Sequence, residues 1–241
     1  MINNIKDDLK RIFLYPIKKG KKIPKSIDYD DYWKERRGKY NKPYLSSWQL
    51  KRINLIDKHI KKNTHIIDLG SGDGAVLNEI NKRKNIQGTG FDISDIALKH
   101  LSDLGFGAKK IDINNKEAFY AELPECDYAL AFEIMEHLPN AEEFIKELLN
   151  KSTDGVFISI PNSGYYTYRL RLFFGSFPVQ WVLHPGEHLR FWTVRDIKKW
   201  VQWNNFKLEK LYLYEGIPFL NKIWPSLFSA GMVIYLKKKT S

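Results

Sequence analysis

The stretch T-H-I-I-D-L-G-S-G-D-G at 64–74 constrains the fold of this chain more than any other. Ile66, Ile67 and Leu69 form a short apolar run that enters a loop with glycine at 70, 72 and 74. Ala75, Val76, Leu77 and Ile80 then recur at helical spacing. Strand, glycine turn and helix together open a nucleotide-type α/β domain. The turn needs backbone angles that a side chain disfavours, and bare main chain lets a ligand lie close. The helix N-terminus adds unpaired N–H groups.

The glycine spacing separates ligand classes. A dinucleotide fingerprint reads G-x-G-x-x-G, whereas this loop reads G-x-G-x-G with Asp68 two residues before the first glycine. No Lys-Ser or Lys-Thr follows Gly74, so the phosphate loop is absent. Asp73 puts negative charge where a pyrophosphate would rest, which is unfavourable. A phosphate-free ligand with an amine, a carboxylate and ribose hydroxyls suits this loop better, and S-adenosylmethionine is such a molecule.

Downstream, the pattern alternates as a parallel sheet requires. Strands are expected near 65–69, 87–92, 108–113, 128–132 and 155–160, with helices near 74–84, 94–104, 116–121 and 141–149 between them. A helix at 194–203, a strand at 207–214 and a last strand at 231–236 complete the core, and 46–59 reads as a helix capped by serine. The chain thus divides into an N-terminal extension, 1–45, and one α/β domain, 46–241, with an insertion at 161–192 after strand 5. In the extension, Ile5, Leu9, Ile12 and Phe13 recur at helical spacing between lysines. That pattern suits packing on the domain or peripheral contact with a membrane surface. The stretch 28–40 carries Tyr29, Tyr32, Trp33 and Tyr40 and can fold over a bound cofactor as a cover.

Ligands of open α/β sheets sit at the carboxyl ends of the strands. The expected strands end in Asp68, in Phe91-Asp92-Ile93, in Asp112-Ile113 and in Phe132-Glu133. Asp92 can accept both ribose hydroxyls, and Asp112 can accept from an adenine amine while Ile113 packs on the ring.

Taken together, D-L-G-S-G-D-G at 68–74, G-F-D at 90–92, D-I at 112–113 and F-E-I-M-E-H-L-P at 132–139 resemble the class I S-adenosylmethionine-dependent methyltransferases. The resemblance covers about 46–215. It implies a Rossmann-like seven-stranded sheet with helices on both faces and an antiparallel last strand. It also implies that Gly70 and Gly72 line the methionine part of the cofactor, Asp92 the ribose and Asp112 the adenine amine, with Asp68, Ile93, Ile113 and Phe132 beside them. P-N-S-G-Y-Y-T-Y-R-L-R-L-F-F-G at 161–175 looks like MetW and its relatives, whereas E-I-M-E-H at 133–137 looks more like the ubiquinone-biosynthesis O-methyltransferases.

His137, just past strand 4, is the first candidate for a general base, since histidine titrates in the useful range. His188, in P-G-E-H-L-R-F-W at 185–192, is the second. Glu133, Glu136 and His137 form E-x-x-E-H and can also hold a divalent metal, although most class I methyltransferases need none. The insertion's Arg169 and Arg171 are candidates to grip a phosphate or carboxylate, and its Tyr165, Tyr166, Tyr168 and Trp181 to wall a pocket.

The net charge of +11 fits an anionic small substrate or a plain solvated surface. The expected acceptor is therefore a small polar molecule such as a sugar or nucleotide sugar. Nucleic acid is disfavoured because no [ND]-P-P-[FY] signature or catalytic cysteine motif is present. A MetW-like cofactor-binding regulatory partner is the non-enzymatic alternative. Cys126 is the one cysteine, which excludes a disulfide framework, and no signal-peptide pattern opens the chain, so a cytoplasmic setting is expected.

Overall fold

The structure, a computed structural model, describes residues 12, 28–39, 43–178, 180, 186 and 188–239, with backbone alone at 36–39. Ile5, Leu9, Phe13, the basic stretch at 18–25, Tyr40, Trp181 and His184 lie outside the described residues.

Helix α1 (Tyr29–Lys39) precedes α2 (Ser47–Ile56). Ser46 caps α2 with a full capping box: its hydroxyl accepts from Gln49 N, and the Gln49 side chain accepts from Ser46 N. The core then runs β1 (His65–Leu69), α3 (Ala75–Lys84), β2 (Gln87–Asp92), α4 (Asp95–Asp103), β3 (Gly107–Lys110), α5 (Lys116–Glu122) and β4 (Cys126–Phe132). After a 3₁₀ turn at Met135–His137 come α6 (Ala141–Lys151), β5 (Ser152–Pro161), α7 (Tyr166–Phe173), α8 (Val194–Trp203) and β6 (Lys207–Tyr214). Two short helices, α9 (Leu220–Ile223) and α10 (Pro225–Phe228), lead to β7 (Gly231–Lys237).

The seven strands are ordered β3-β2-β1-β4-β5-β7-β6, and β7 runs antiparallel to both neighbours. The parallel strands are buried on both faces, so neighbouring residues feed different cores. Ile67, Ala129, Ala131 and Ile158 face the layer of α6 and α8, whereas Ile66, Leu130, Phe157 and Val233 face that of α2, α3 and α4. Chain order reverses between β1 and β4, each of which starts a separate half of the sheet. The crevice that opens at their carboxyl ends is where such sheets bind ligands.

The third strand is one expectation that shifts. It ends at Lys110, earlier than its apolar tail suggested. Ile111 N still donates to Asp92 O, but Asp112 Oδ1 turns back to accept from Asn114 N at 2.9 Å. That Asx turn competes with the ladder and breaks the strand. Among the described residues, no helix is long and apolar enough to cross a membrane.

Candidate active site

A cleft of about 540 Å³ lies over the ends of β1, β2 and β4. The expected cofactor-side residues and both candidate bases border it: Asp68, Gly70, Gly72, Asp92, Ile93, Asp112, Ile113, Phe132, His137 and His188. The floor is the glycine loop. Gly70 and Gly72 hold φ of +66° and +53°, where a side chain is strained. A Cβ on Gly70 would meet the Ile134 side chain, and one on Gly72 would run into the Trp33 ring. The loop is therefore held between the end of β4 and α1.

The carboxylate Asp92 is fixed from two sides. Gly72 N donates to Oδ2 and Ser94 N to Oδ1, both at 2.9 Å. Each oxygen keeps a lone pair, so the group can accept two hydroxyls from the cleft. Burial nevertheless pushes the Asp92 carboxyl above its ordinary range against these backbone bonds. At Asp68 burial wins outright: its carboxyl rises to about 8, helped by the Asp92 charge and opposed by Arg52. Asp68, Asp73, Asp92, Asp112, Glu133 and Glu136 border the cleft together with a single arginine, Arg52, among the described residues. Such a lining disfavours a pyrophosphate and suits a ligand bearing ammonium or sulfonium charge.

Helix α1 packs on the loop through Trp33. Tyr29, Tyr32 and Trp33 border the cleft, and the helix is clasped to the next turn of sheet by Ser94 Oγ, which donates to Asp30 Oδ1 at 2.5 Å. The chemistry-bearing wall is the turn after β4. His137 and His188 meet edge to face with ring centroids 4.8 Å apart. Leu189 N and Arg190 N both donate to Glu136 O, which draws the end of the insertion onto this turn. The Glu136 side chain is buried with neither oxygen hydrogen-bonded among the described residues, and burial, then the neighbouring Glu133 charge, raises its carboxyl well above the ordinary range. Burial, with the nearby His137, lowers His188 to about 4, so its ring is neutral at pH 7, and its Nδ1 has no partner among the described residues.

One ligand atom from each of Glu136, His137 and His188 lies within 4.8 Å of the other two. Glu133, the first member of the E-x-x-E-H pattern, stands apart from that trio. It sits at φ +56° and accepts from Ser159 Oγ at 2.8 Å, while Arg52 Nη1 lies 3.1 Å from the same oxygen.

A family model described as a methyltransferase domain matches residues 32–211. The chain belongs to that methyltransferase family. The cofactor of this methyltransferase is S-adenosylmethionine, which agrees with the acid-rich, phosphate-averse cleft. Its fold is similar to an S-adenosylmethionine-dependent methyltransferase from Archaeoglobus fulgidus, with TM-score 0.61 and 19% identity over 86% of this chain and 100% of that one. It is also similar to the methyltransferase domain of bacterial CtHen1-C, with TM-score 0.56 and 19% identity over 80% and 97% of the two chains. Magnesium protoporphyrin IX methyltransferase from Synechocystis PCC 6803, solved with bound SAH, matches with TM-score 0.54 and 14% identity over 97% and 94%. No curated protein matches the sequence.

Two expectations for the insertion do not hold in this methyltransferase. Arg171 is buried away from the cleft, its Nε donating to Phe177 O and its Nη1 to Ile12 O, so it staples the insertion to the N-terminal extension. Arg169 Nε donates to Gly164 O at 2.7 Å and does not border the cleft. Tyr165, Tyr166 and Tyr168 form a ring cluster against Phe228 of α10 instead of a pocket wall. Sequence reasoning in turn missed Arg52 and Gln180. Arg52 lies on the apolar face of α2 next to Ile53 and Ile56, and a cation within that buried stripe was the available signal. Gln180 offered none.

Proposed function

We propose that this methyltransferase transfers the methyl group to a hydroxyl oxygen of a small polar acceptor, sugar-like and uncharged where it enters the cleft. The observation that carries the reading is a cluster of buried polar atoms without partners among the described residues: both Glu136 oxygens, His188 Nδ1 and Gln180 Nε2. All three residues border the same cleft as His137. Buried groups of this kind are costly unless something bonds to them. A polyhydroxylated acceptor satisfies them, and the raised Glu136 carboxyl can donate as well as accept. The acidic lining, with Arg52 already engaged by Glu133, supports a neutral acceptor over a nucleotide sugar.

When bound, S-adenosylmethionine supplies an electrophilic sulfonium methyl. The chain's own contribution is alignment and proton removal. Asp92 and Asp112 hold the nucleoside end, the glycine loop the amino-acid end, and Phe132 and Ile134 separate these from the acceptor. His137 takes the hydroxyl proton, and His188, neutral and in contact with its ring, is the second base. His137→Ala should leave cofactor affinity near wild type in calorimetry and cut turnover about 100-fold or more. The assay is a screen of hydroxylated acceptors with methyl-labelled cofactor, and normal turnover by that variant removes His137 from the role.

A second reading draws on the same trio. Glu136, His137 and His188 present one carboxylate and two imidazole ligands within 4.8 Å, a set able to hold a divalent cation. An ion there would lower the pKa of a coordinated acceptor hydroxyl. Under this reading chelator abolishes turnover and magnesium or manganese restores it, and full turnover in chelator rejects it.

A further inference from the structure

We infer that the outer face of the insertion, together with α9 and α10, is a docking surface for an anionic phospholipid bilayer. This goes beyond the methyl-transfer reading and does not rest on the identity of the acceptor.

The first observation is exposed apolar area. At the end of α7, Phe173 is 81% exposed and Phe177 61%, with Leu172 and Phe174 exposed beside them. Just before and just after α9, Phe219 is 71% exposed and Trp224 55%, with Ile223 between. The two sets flank one helix. The Trp224 ring meets Phe228, which meets Tyr166 at the start of α7, with centroids 6.5 and 5.8 Å apart. Phe173 lies seven residues further along α7, about 10 Å at helical rise. Asn162 Nδ2 donates to Ser226 O and Ser229 O and locks the two segments together. A face with this many large exposed side chains marks an interaction site.

The second observation is charge. No Asp or Glu occurs in 155–186, 216–241 or 9–27. These stretches hold 13 of the 39 Lys and Arg, so the rest of the chain carries 26 cations against 28 acids. Two of those cations, Arg169 and Lys222, stand exposed on the face itself, whereas Arg171 is buried and Lys237 closes β7 at the opposite end of the strand from Gly231. Arg171 of α7 donates to the backbone carbonyl of Ile12, and the sequence around Ile12, 9–27, carries seven of the cations. Aromatic side chains with cations and no carboxylates match the interface of an anionic bilayer in both hydrophobicity and charge. A folded protein partner matches less well, since it would need neither a single sign of charge nor aromatic side chains standing in solvent.

The docking face adjoins the cleft. Phe177 meets Phe191, Phe191 meets His188 and His188 meets His137, with centroids 5.3, 6.4 and 4.8 Å apart. Docked in this way, the cleft opens beside the lipid–water boundary.

The test is flotation of the full chain with phosphatidylcholine vesicles, with and without phosphatidylglycerol. The expected result is flotation with the anionic vesicles alone, released by high salt. In the double variant Phe173→Ser/Phe177→Ser the bound fraction should fall about tenfold or more. Both positions are exposed, and unchanged cofactor binding in calorimetry verifies that the variant folds. Quenching of Trp224 emission by lipid-borne quencher, lost in Trp224→Phe, gives an independent reading of insertion. Absence of flotation with anionic vesicles, or equal flotation of the double variant, overturns the proposal. So does a concentration-dependent dimer abolished by the same substitutions without vesicle binding, which would give the surface to a second copy. Cofactor binding measured on the same samples keeps these outcomes separate from failure of the methyl-transfer reading.

Discussion

Asp68 and Asp92 stand 24 residues apart in the chain and side by side in the cleft, and burial shifts both toward the protonated form. Their consequences differ. Asp92 is held by two backbone donors and directs its remaining lone pairs outward. Asp92→Ala should weaken S-adenosylmethionine binding by about 1–3 kcal/mol, the range for hydrogen bonds to a charged group, as measured by calorimetry. Asp68 affects stability instead. The folded chain keeps the Asp68 proton to about pH 8, whereas the unfolded chain releases it near 3.8. Between those values the folded state binds more protons, so this residue makes stability fall as pH rises. Asp68→Asn should therefore gain melting temperature relative to wild type as pH increases from about 5 to 8. A constant difference across that range would refute the assignment. Both carboxylates were legible in the sequence as strand ends, but their burial and their mutual repulsion were not.

At the scale of elements, helix α1 and the glycine loop work as one unit. Trp33 presses on Gly72, and Ser94 holds Asp30, so α1 rests on the glycine loop, the proposed cofactor seat. Ala at 72 must adopt φ near +53° and displace the Trp33 ring. The backbone part alone costs about 1–2 kcal/mol, and Gly72→Ala should abolish measurable cofactor binding while the fold survives by circular dichroism. Seven tryptophans are present, and among the described residues Trp33 is the one against the loop. Cofactor binding should change the fluorescence of the wild type and leave that of Trp33→Phe nearly unchanged. The strands and the helices between them could be read from periodicity to within a few residues, whereas α1, α7, α9 and α10 were not read as helices. Among the strands the third was the exception, because the Asx turn at Asp112 competes locally with the ladder and leaves no mark on apolar spacing.

Across the whole molecule, one buried network ties the first helix of the domain to the centre of the sheet. Arg52 Nη1 of α2 donates to Ser159 Oγ of β5 at 2.7 Å and pairs with Glu133 at the end of β4, while its guanidinium lies over the Phe132 ring. The left-handed backbone at Glu133 turns its carboxylate into this network and away from the trio at 136, 137 and 188. Arg52→Ala should cost about 2 kcal/mol, seen as a melting temperature lower by about 4–8 °C. It should also reduce turnover, since the turn carrying Glu136 and His137 follows directly. An unchanged melting temperature would show that the network is not needed to hold the sheet.

What the sequence determined by itself is the part governed by short-range physics. Periodicity set the order of strands and helices, glycine spacing set the loop, and parallel strands forced Asp68, Asp92, the Asp112 turn and His137 to one edge of the sheet. The tertiary structure decided the interactions between residues distant in the chain. Arg52 with Ser159, Trp33 with Gly72, Arg171 with Ile12 and His137 with His188 are such pairs. None follows from local pattern, because each depends on how a helix or insertion lies on the finished sheet. The arginines of the insertion illustrate the difference: their charge suggested an anion site, and packing turned Arg171 inward as a staple, leaving aromatic rings on the surface.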